Sequence, residues 1–177
     1  MRASTLSVSD HYIACLDLSG RACLVVGSGA MAREKVDGLT GCGAEVKAVA
    51  PGEYSAELLD DTWLVVAATS DEQLNRRIYG DANERRVFCN VEDVPELCSF
   101  ILPAIHRRGP ITLAVSTGGA SPALAQRLRD DFGAQIGFEH EQLANELQRL
   151  RPWVRQNLHT YEERRDFFRD AVARALA

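Results

Sequence analysis

The sequence predicts an α/β protein: a parallel β-sheet domain, then a short strand-helix segment, then a helical C-terminal part. Three observations carry this reading. Uniformly apolar runs alternate with helix-like stretches through the first half of the chain, the pattern of parallel strands covered on both faces. A glycine turn, Gly27-Ser28-Gly29, separates the first such run from the first helix. Beyond Pro95 the pattern changes to two extended runs joined by a turn, and then to continuous helix.

Taken in order, Cys23 to Val26 is too uniformly apolar for a half-exposed strand and reads as a central one. Ala32, Val36 and Leu39 then recur at helical spacing, and Gly41 or Gly43 can end that helix. Another apolar run follows, and Trp63 to Ala68 is the third strand. Thr69-Ser70-Asp71 turns into a helix with Leu74, Ile78 and Ala82 on one face, with Ser70 and Gln73 spaced for a capping box. Arg86 to Val91 is the fourth strand. Ser99 to Ile105 and Pro110 to Ser116, joined through Arg107-Arg108-Gly109, read as a hairpin that leaves the parallel sheet. Ser121 is the expected N-cap and Pro122 the first position of a helix carrying Leu124, Leu128 and Phe132 on one face. From about Phe138 onward the chain reads as helix, broken at Pro152. The domain boundary is expected beyond Pro95, where the hairpin leaves the parallel sheet.

Of the 177 residues, 46% are apolar and 25% charged, which fits folded, water-soluble domains and excludes disordered or collagen-like chains. The formal net charge of −5 argues against a general nucleic-acid binder, which needs a basic face. No apolar run is long enough to span a membrane, and Met1 to Asp10 lacks the basic start and apolar stretch of a signal peptide, so the expected compartment is the cytoplasm. The five cysteines show no C-x-x-C spacing and fit reduced, mostly buried thiols. His11, His106, His140 and His159 show no metal-ligand spacing.

Chemistry concentrates in three places. Gly27, Ser28, Gly29, Ala30, Met31 and Ala32 form a G-x-G-x-x-A directly after a buried strand and opening a helix. This is the Rossmann-type dinucleotide fingerprint: glycines allow the turn and the approach of backbone N–H groups to a pyrophosphate, and the small Ala32 allows helix and strand to pack closely. The ribose-binding acid expected about 20 residues further on is missing, since Ala50 and Pro51 take that place, so NAD and NADP both stay open. The second place is Cys89-Asn90-Val91-Glu92-Asp93-Val94-Pro95, at the strand end that faces the ligand crevice of an open α/β sheet. Glu92 and Asp93 are candidates there for acid/base work or metal contact, against the plainer reading of a turn with solvated carboxylates. The third is the turn Ser116 to Ser121, an anion-binding nest before a helix, with Arg107, Arg108 and Arg127 near it in sequence; ordinary capping explains it equally well.

These stretches together resemble the precorrin-2 dehydrogenase family of siroheme synthesis, some of whose members are also sirohydrochlorin ferrochelatases. The resemblance runs from Leu16 to about Phe132 through CLVVGSGAMAREKV, WLVVAATSDEQLNRRI, FCNVEDVPELCSFILPAI and ITLAVSTGGASPALAQRLR. It extends to Glu163-Arg164-Arg165, Phe167 and Phe168 in the helical tail. It implies a Rossmann domain (1–102), a dimerisation segment of exchanged strands and helix (103–136) and a helical C-terminal domain (137–177), working as a homodimer with the substrate between the NAD site and the dimer segments. It also implies NAD-dependent oxidation of precorrin-2 to sirohydrochlorin, with ferrous iron as a transient second substrate in bifunctional members. The family's N-V-x-D-x-P aspartate falls on Asp93, and its cofactor loop on Gly27 through Met31, with Ala50, Pro51 and Thr69 beside it. The hydroxyl it associates with chelation falls on Thr117, so Asp93 and Thr117 are the implied iron contacts. Asn90, Arg108, Ser116, Thr117, Gly118 and Gly119 are the implied substrate contacts.

Three features depart from the family pattern. Ser28 stands where the family usually has glycine, and Arg107 stands where many members have an aspartate. Between Pro51 and Gly52 the family carries a further helix or loop and a strand; a compact sheet domain does not readily lose such a strand, so additional residues are expected at this join. Two other readings fit the same residues: a chelatase without dehydrogenase activity, and a non-catalytic module that binds a dinucleotide or tetrapyrrole.

Overall fold

Four parallel strands, β1 (Ala22–Gly27), β2 (Glu45–Val49), β3 (Leu64–Ala68) and β4 (Phe88–Val91), form a sheet in the order β2-β1-β3-β4 in the computed structural model, which describes residues 11–177. Met1 to Asp10, the segment that reads as lacking a signal peptide, lie outside the described residues. Helix α1 (Gly29–Thr40) connects β1 to β2, and α2 (Glu72–Arg85) connects β3 to β4. The chain divides into two compact units, the first ending at Leu102 and the second covering Pro103–Ala177.

The central strands β1 and β3 are buried on both faces, as their uniform apolarity requires. Leu24, Val26, Val65 and Ala67 pack on one face with Ile78 and Ala82 of α2. Cys23, Val25, Leu64 and Val66 pack on the other with Ala32 of α1. Each large side chain so buried contributes about 1.5 to 3 kcal/mol of transfer free energy, which makes these two layers the anchor for every loop at the sheet's C-terminal edge.

The join at Pro51–Gly52 is closed by two short 3-10 turns, Pro51–Glu53 and Ala56–Leu59, from which Tyr54 and Leu59 plug the core. Among the described residues the sheet has no further strand, and β2 is an edge whose residues are all exposed or half-exposed. Helix α2 is capped by Asp71, not Ser70: its carboxylate accepts from Gln73 N and Leu74 N, both at 3.0 Å, and an anionic acceptor at a helix start is stronger than a hydroxyl. Arg86, with φ 58°, closes that helix in the left-handed conformation, so β4 begins only at Phe88.

In the second unit β5 (Ala104–Arg108) and β6 (Ile111–Val115) pair antiparallel, and α3 (Pro122–Gly133) packs on both. Arg107 and Arg108 lie within β5, and the turn proper is Gly109-Pro110. Ser121 caps α3 by accepting from Leu124 N at 3.2 Å, as expected. Helices α4 (Phe138–Asn157) and α5 (Tyr161–Ala175) follow, joined by contacts such as Trp153 with Phe167, ring centroids 6.0 Å apart. Pro152 does not break the helix: α4 runs through it, and the break falls at Leu158–Thr160. There Thr160 accepts from Glu163 N while Glu163 accepts from the Thr160 and His159 amides, a capping box that starts α5 outright.

The two units differ in how much apolar surface they bury. In the second, only Ala125 and Val154 are buried apolar residues among those described, while Leu124, Phe132, Phe138 and Trp153 are about half exposed. Cys23 and Cys89 are buried and Cys98 half-buried, but Cys15 and Cys42 are exposed, against the expectation of mostly buried thiols. Among the described residues no helix is long and apolar enough to cross a membrane.

Candidate active site at the sheet's C-terminal edge

The glycine turn is built by two different constraints. Gly27 pairs with Ala68 across the sheet, and a Cβ at Gly27 would run into the Ala68 carbonyl oxygen, so close strand packing demands glycine there. Gly29 has φ 84°, left-handed backbone that favours glycine, and a Cβ built on it meets nothing within 4 Å: the space above it is open. Ser28 is the extended N-cap residue of α1, yet its hydroxyl makes no capping bond, and no acidic residue lies in the first turn. The first amides of α1 are thus unclaimed by any side chain and point into open space, with Ala30 and Met31 exposed beside them. This arrangement fits a dinucleotide pyrophosphate.

Ala50 and Thr69 flank the turn on the neighbouring strands. Val26 pairs with Val49, so Ala50, the first residue past β2, stands level with Gly27. Its amide donates to Glu53 Oε2 at 2.8 Å. The Thr69 hydroxyl donates to Asn75 Oδ1 at 2.8 Å and accepts from Asp71 N at 3.1 Å, so it shapes its own loop around the buried Asn75. Between these segments lies a cavity of about 350 Å³ lined by Pro51, Gly52, Asp71, Gln73, Leu74 and Arg77. Its guanidinium is occupied: it rests 5.3 Å over the Tyr54 ring and 3.7 Å from Asp81. Tyr54 in turn donates to Asp81 at 2.9 Å, and burial together with that carboxylate pushes its phenol well above the usual range.

The turn after β4 distinguishes its two carboxylates. Glu92 is paired with Lys35 of α1, Nζ to Oε2 2.9 Å, with both side chains about four-fifths buried. Asp93 is exposed, makes no ion pair or side-chain hydrogen bond among the described residues, and sits at φ 57°. Left-handed backbone at a residue with a Cβ is uncommon and costs about 1 kcal/mol, least for Asp and Asn. The turn is held in that shape by Cys98: Sγ donates toward the Val91 and Val94 carbonyls and accepts from Val91 N, all at 3.3 Å. Burial raises the Cys98 thiol pKa, against a smaller lowering by the Val91 hydrogen bond, and a neutral thiol suits a donor. Asn90 is buried and donates to Phe100 O at 3.0 Å, tying the segment after the turn to β4.

The remaining candidates lie in the second unit. Much of the turn from Ser116 to Ser121 satisfies itself: Ser116 Oγ accepts from Gly118 N at 3.1 Å, and Thr117 O from Ala120 N at 3.1 Å. Thr117 Oγ1 accepts from Ser121 N at 3.0 Å and donates to Ser121 O at 3.1 Å. Arg127 is paired with Asp131 at 2.8 Å and Arg108 with Glu141 at 3.4 Å, while Arg107 Nη1 lies 3.4 Å from Thr112 Oγ1. Among the described residues no group of three or more His, Cys, Asp or Glu side chains is gathered as for a metal. The structure therefore brings Gly27 to Met31, Ala50, Pro51, Thr69, Asn90 and Asp93 to one unit, and places Arg108 and Ser116 to Gly119 in the other. Sequence reading missed Lys35, Glu53 and Cys98; the scarcity of lysine, two in the chain, was the one available signal for Lys35.

The chain is similar to known proteins along most of its length. Residues 14–104 match the family model described as putative NAD(P)-binding, and residues 108–135 match the central segment of sirohaem biosynthesis protein. The chain is 38% identical over 192 aligned residues to siroheme synthase 2 of Cronobacter sakazakii, with 95% of this chain and 42% of that protein covered. The figures are the same for the siroheme synthase of Escherichia coli O139:H28. The chain thus spans about two fifths of the curated relatives it matches. Among solved structures, SirC, precorrin-2 dehydrogenase, superposes with a TM-score of 0.74 at 26% identity, covering 90% of this chain and 88% of that one. Since the family model matches residues 14–104, just over half of the chain, the chain belongs to the putative NAD(P)-binding family, here joined to a sirohaem-biosynthesis central segment.

Proposed function

We propose that this chain oxidises precorrin-2 to sirohydrochlorin with NAD as hydride acceptor. The observation that carries the reading is Asp93: an unpaired, exposed carboxylate in left-handed backbone on the same sheet edge as the glycine turn, beside a Glu92 already neutralised by Lys35. Strained backbone held by its surroundings concentrates at functional sites, and here Cys98 supplies the holding contacts. The resemblance to siroheme synthases and to SirC, precorrin-2 dehydrogenase, supports the same substrate.

When bound, the nicotinamide supplies a two-electron acceptor for hydride. The amides of Gly29 to Met31 would hold the pyrophosphate at the positive end of α1, and Ala50, Pro51 and Thr69 would contact the adenosine half. Asp93 takes the proton that precorrin-2 releases as its hydride departs, so that substrate loses two hydrogens and yields sirohydrochlorin and a proton. Asn90 orients the Asp93 turn through Phe100. Arg108 and the turn Ser116, Thr117, Gly118 and Gly119 serve the substrate's carboxylates, since a chain of net charge −5 needs local donors for a polyanion.

The protein works as a cytoplasmic homodimer through residues 103–136; the poorly buried second unit supports this, because a two-stranded hairpin with so little apolar burial needs another surface to be stable. In the bifunctional version Asp93 also receives ferrous iron as substrate. The Thr117 hydroxyl, already both donor and acceptor to Ser121, contributes less to that step.

Anaerobic incubation of precorrin-2 with the protein and NAD tests the reading. Absorbance of sirohydrochlorin rising only when NAD is present is the expected result, with ferrous iron added afterwards to read chelation. No NAD-dependent product from the folded protein overturns it, and iron uptake by supplied sirohydrochlorin then separates a chelatase from a binding module.

A further inference from the structure

We infer that Glu53 is the residue that selects NAD over NADP. The inference rests on the NAD(P)-dependent reading above and adds a residue to it. In dinucleotide-binding βαβ units the ribose 2′-hydroxyl is read by a carboxylate at the end of the second strand, about 20 residues after the glycine turn. In this chain that place holds Ala50 and Pro51, and no acid is present there in the sequence.

The fold returns one to it. The 3-10 turn Pro51–Glu53 brings Glu53 back toward the strand end, Glu53 N donating to Ala50 O at 2.9 Å and Ala50 N donating to Glu53 Oε2 at 2.8 Å. The register of β1 against β2 sets Ala50 level with Gly27, so this carboxylate sits one strand across from the pyrophosphate turn. Neighbouring strands lie about 4.8 Å apart, so the carboxylate stands on the strand next to the one that carries the glycine turn. Oε1 makes no hydrogen bond and Glu53 no ion pair among the described residues, so one oxygen is positioned by the backbone and the other remains for the ribose.

The adjoining cavity holds a cation as well, and an arginine there would favour the 2′-phosphate of NADP. Arg77 is engaged by the Tyr54 ring and Asp81, whereas Glu53 is in no ion pair among the described residues and its carboxylate is bound only by Ala50 N. A 2′-phosphate brought to this strand end meets a fixed negative charge, and a 2′-hydroxyl meets an acceptor.

Fluorescence titration of the full chain with NADH and with NADPH, for wild type, Glu53→Gln and Arg77→Gln, tests this without turnover. Glutamine keeps an oxygen to accept from Ala50 N, so the turn survives and only the charge is lost. Wild type is expected to bind NADH at least about tenfold tighter than NADPH, and Glu53→Gln to shrink that ratio by about tenfold, mostly through a gain for NADPH, with Arg77→Gln leaving the ratio unchanged. An unchanged ratio in Glu53→Gln, or a wild type that prefers NADPH and loses the preference in Arg77→Gln, overturns the assignment. If wild type binds neither nucleotide, it is the NAD(P)-dependent reading itself that fails.

Discussion

Lys35 Nζ lies 2.9 Å from Glu92 Oε2, which ties the middle of α1, the helix that follows the glycine turn, to the residue preceding Asp93. Both side chains are mostly buried, so this pair is screened less than a surface one and its geometry is fixed by two core-anchored elements. Lys35→Met leaves Glu92 buried without its cation and is expected to cost about 1 to 2 kcal/mol in urea unfolding. Lys35→Met with Glu92→Leu is expected to recover most of that loss. A single variant as stable as wild type would show that the pair does not hold the turn.

The two glycines of the fingerprint separate in their effects. Gly27→Ala drives a Cβ into the Ala68 carbonyl, backbone against backbone, and is expected to cost about 3 kcal/mol or more. Gly29→Ala meets open space and carries only the strain of a left-handed residue, about 1 to 2 kcal/mol. Thermal unfolding ranks them in that order, and NADH titration of the still-folded Gly29→Ala protein is expected to show weakened binding.

Alkaline stability follows from the buried thiols. Burial pushes Cys89 up to about 12 from its ordinary 9.0, with nearby Cys98 adding to the shift. The native state keeps this proton while the unfolded chain loses it, so its contribution is complete below pH 9.0 and is lost as pH rises toward about 12. The slope is about 1.4 kcal/mol per pH unit for one such thiol. Urea unfolding at about pH 8 and about pH 10 is expected to show this loss, and Cys89→Ala to reduce it.

How much of this was legible in the sequence depends on whether short-range or long-range contacts decide. The buried strands, the glycine turn and the Ser121 cap follow from residue type and spacing alone. The capping boundary at Asp71 did not, because Ser70 and Asp71 are both good caps and charge decided between them. Pro152 was read as a break because proline removes one helical donor, yet the Thr160–Glu163 box is the stronger stop. Asp93 was found through its motif, but its left-handed backbone and the Lys35–Glu92 pair depend on side chains from α1 and Cys98 meeting across the fold. Glu53 was missed because its carboxylate returns to the end of β2, at Ala50 N, only after the 3-10 turn folds back.

The proposed homodimer is tested at the second unit's exposed apolar side chains. Leu124 and Phe132, 49% and 50% exposed on α3, are candidates for an interface. Sedimentation velocity is expected to give a dimer for wild type and a shift toward monomer for Leu124→Glu with Phe132→Glu. A wild type that stays monomeric at micromolar concentration contradicts the homodimer proposal.

The most direct test of the account is single-turnover oxidation of precorrin-2 by NAD in wild type and Asp93→Asn. Asparagine tolerates left-handed backbone as aspartate does, so the fold and its melting temperature are retained while the proton acceptor is removed. The account predicts NADH formation slowed by about 10² to 10⁴ with nucleotide binding unchanged. An Asp93→Asn protein that forms NADH within about twofold of the wild-type rate contradicts it.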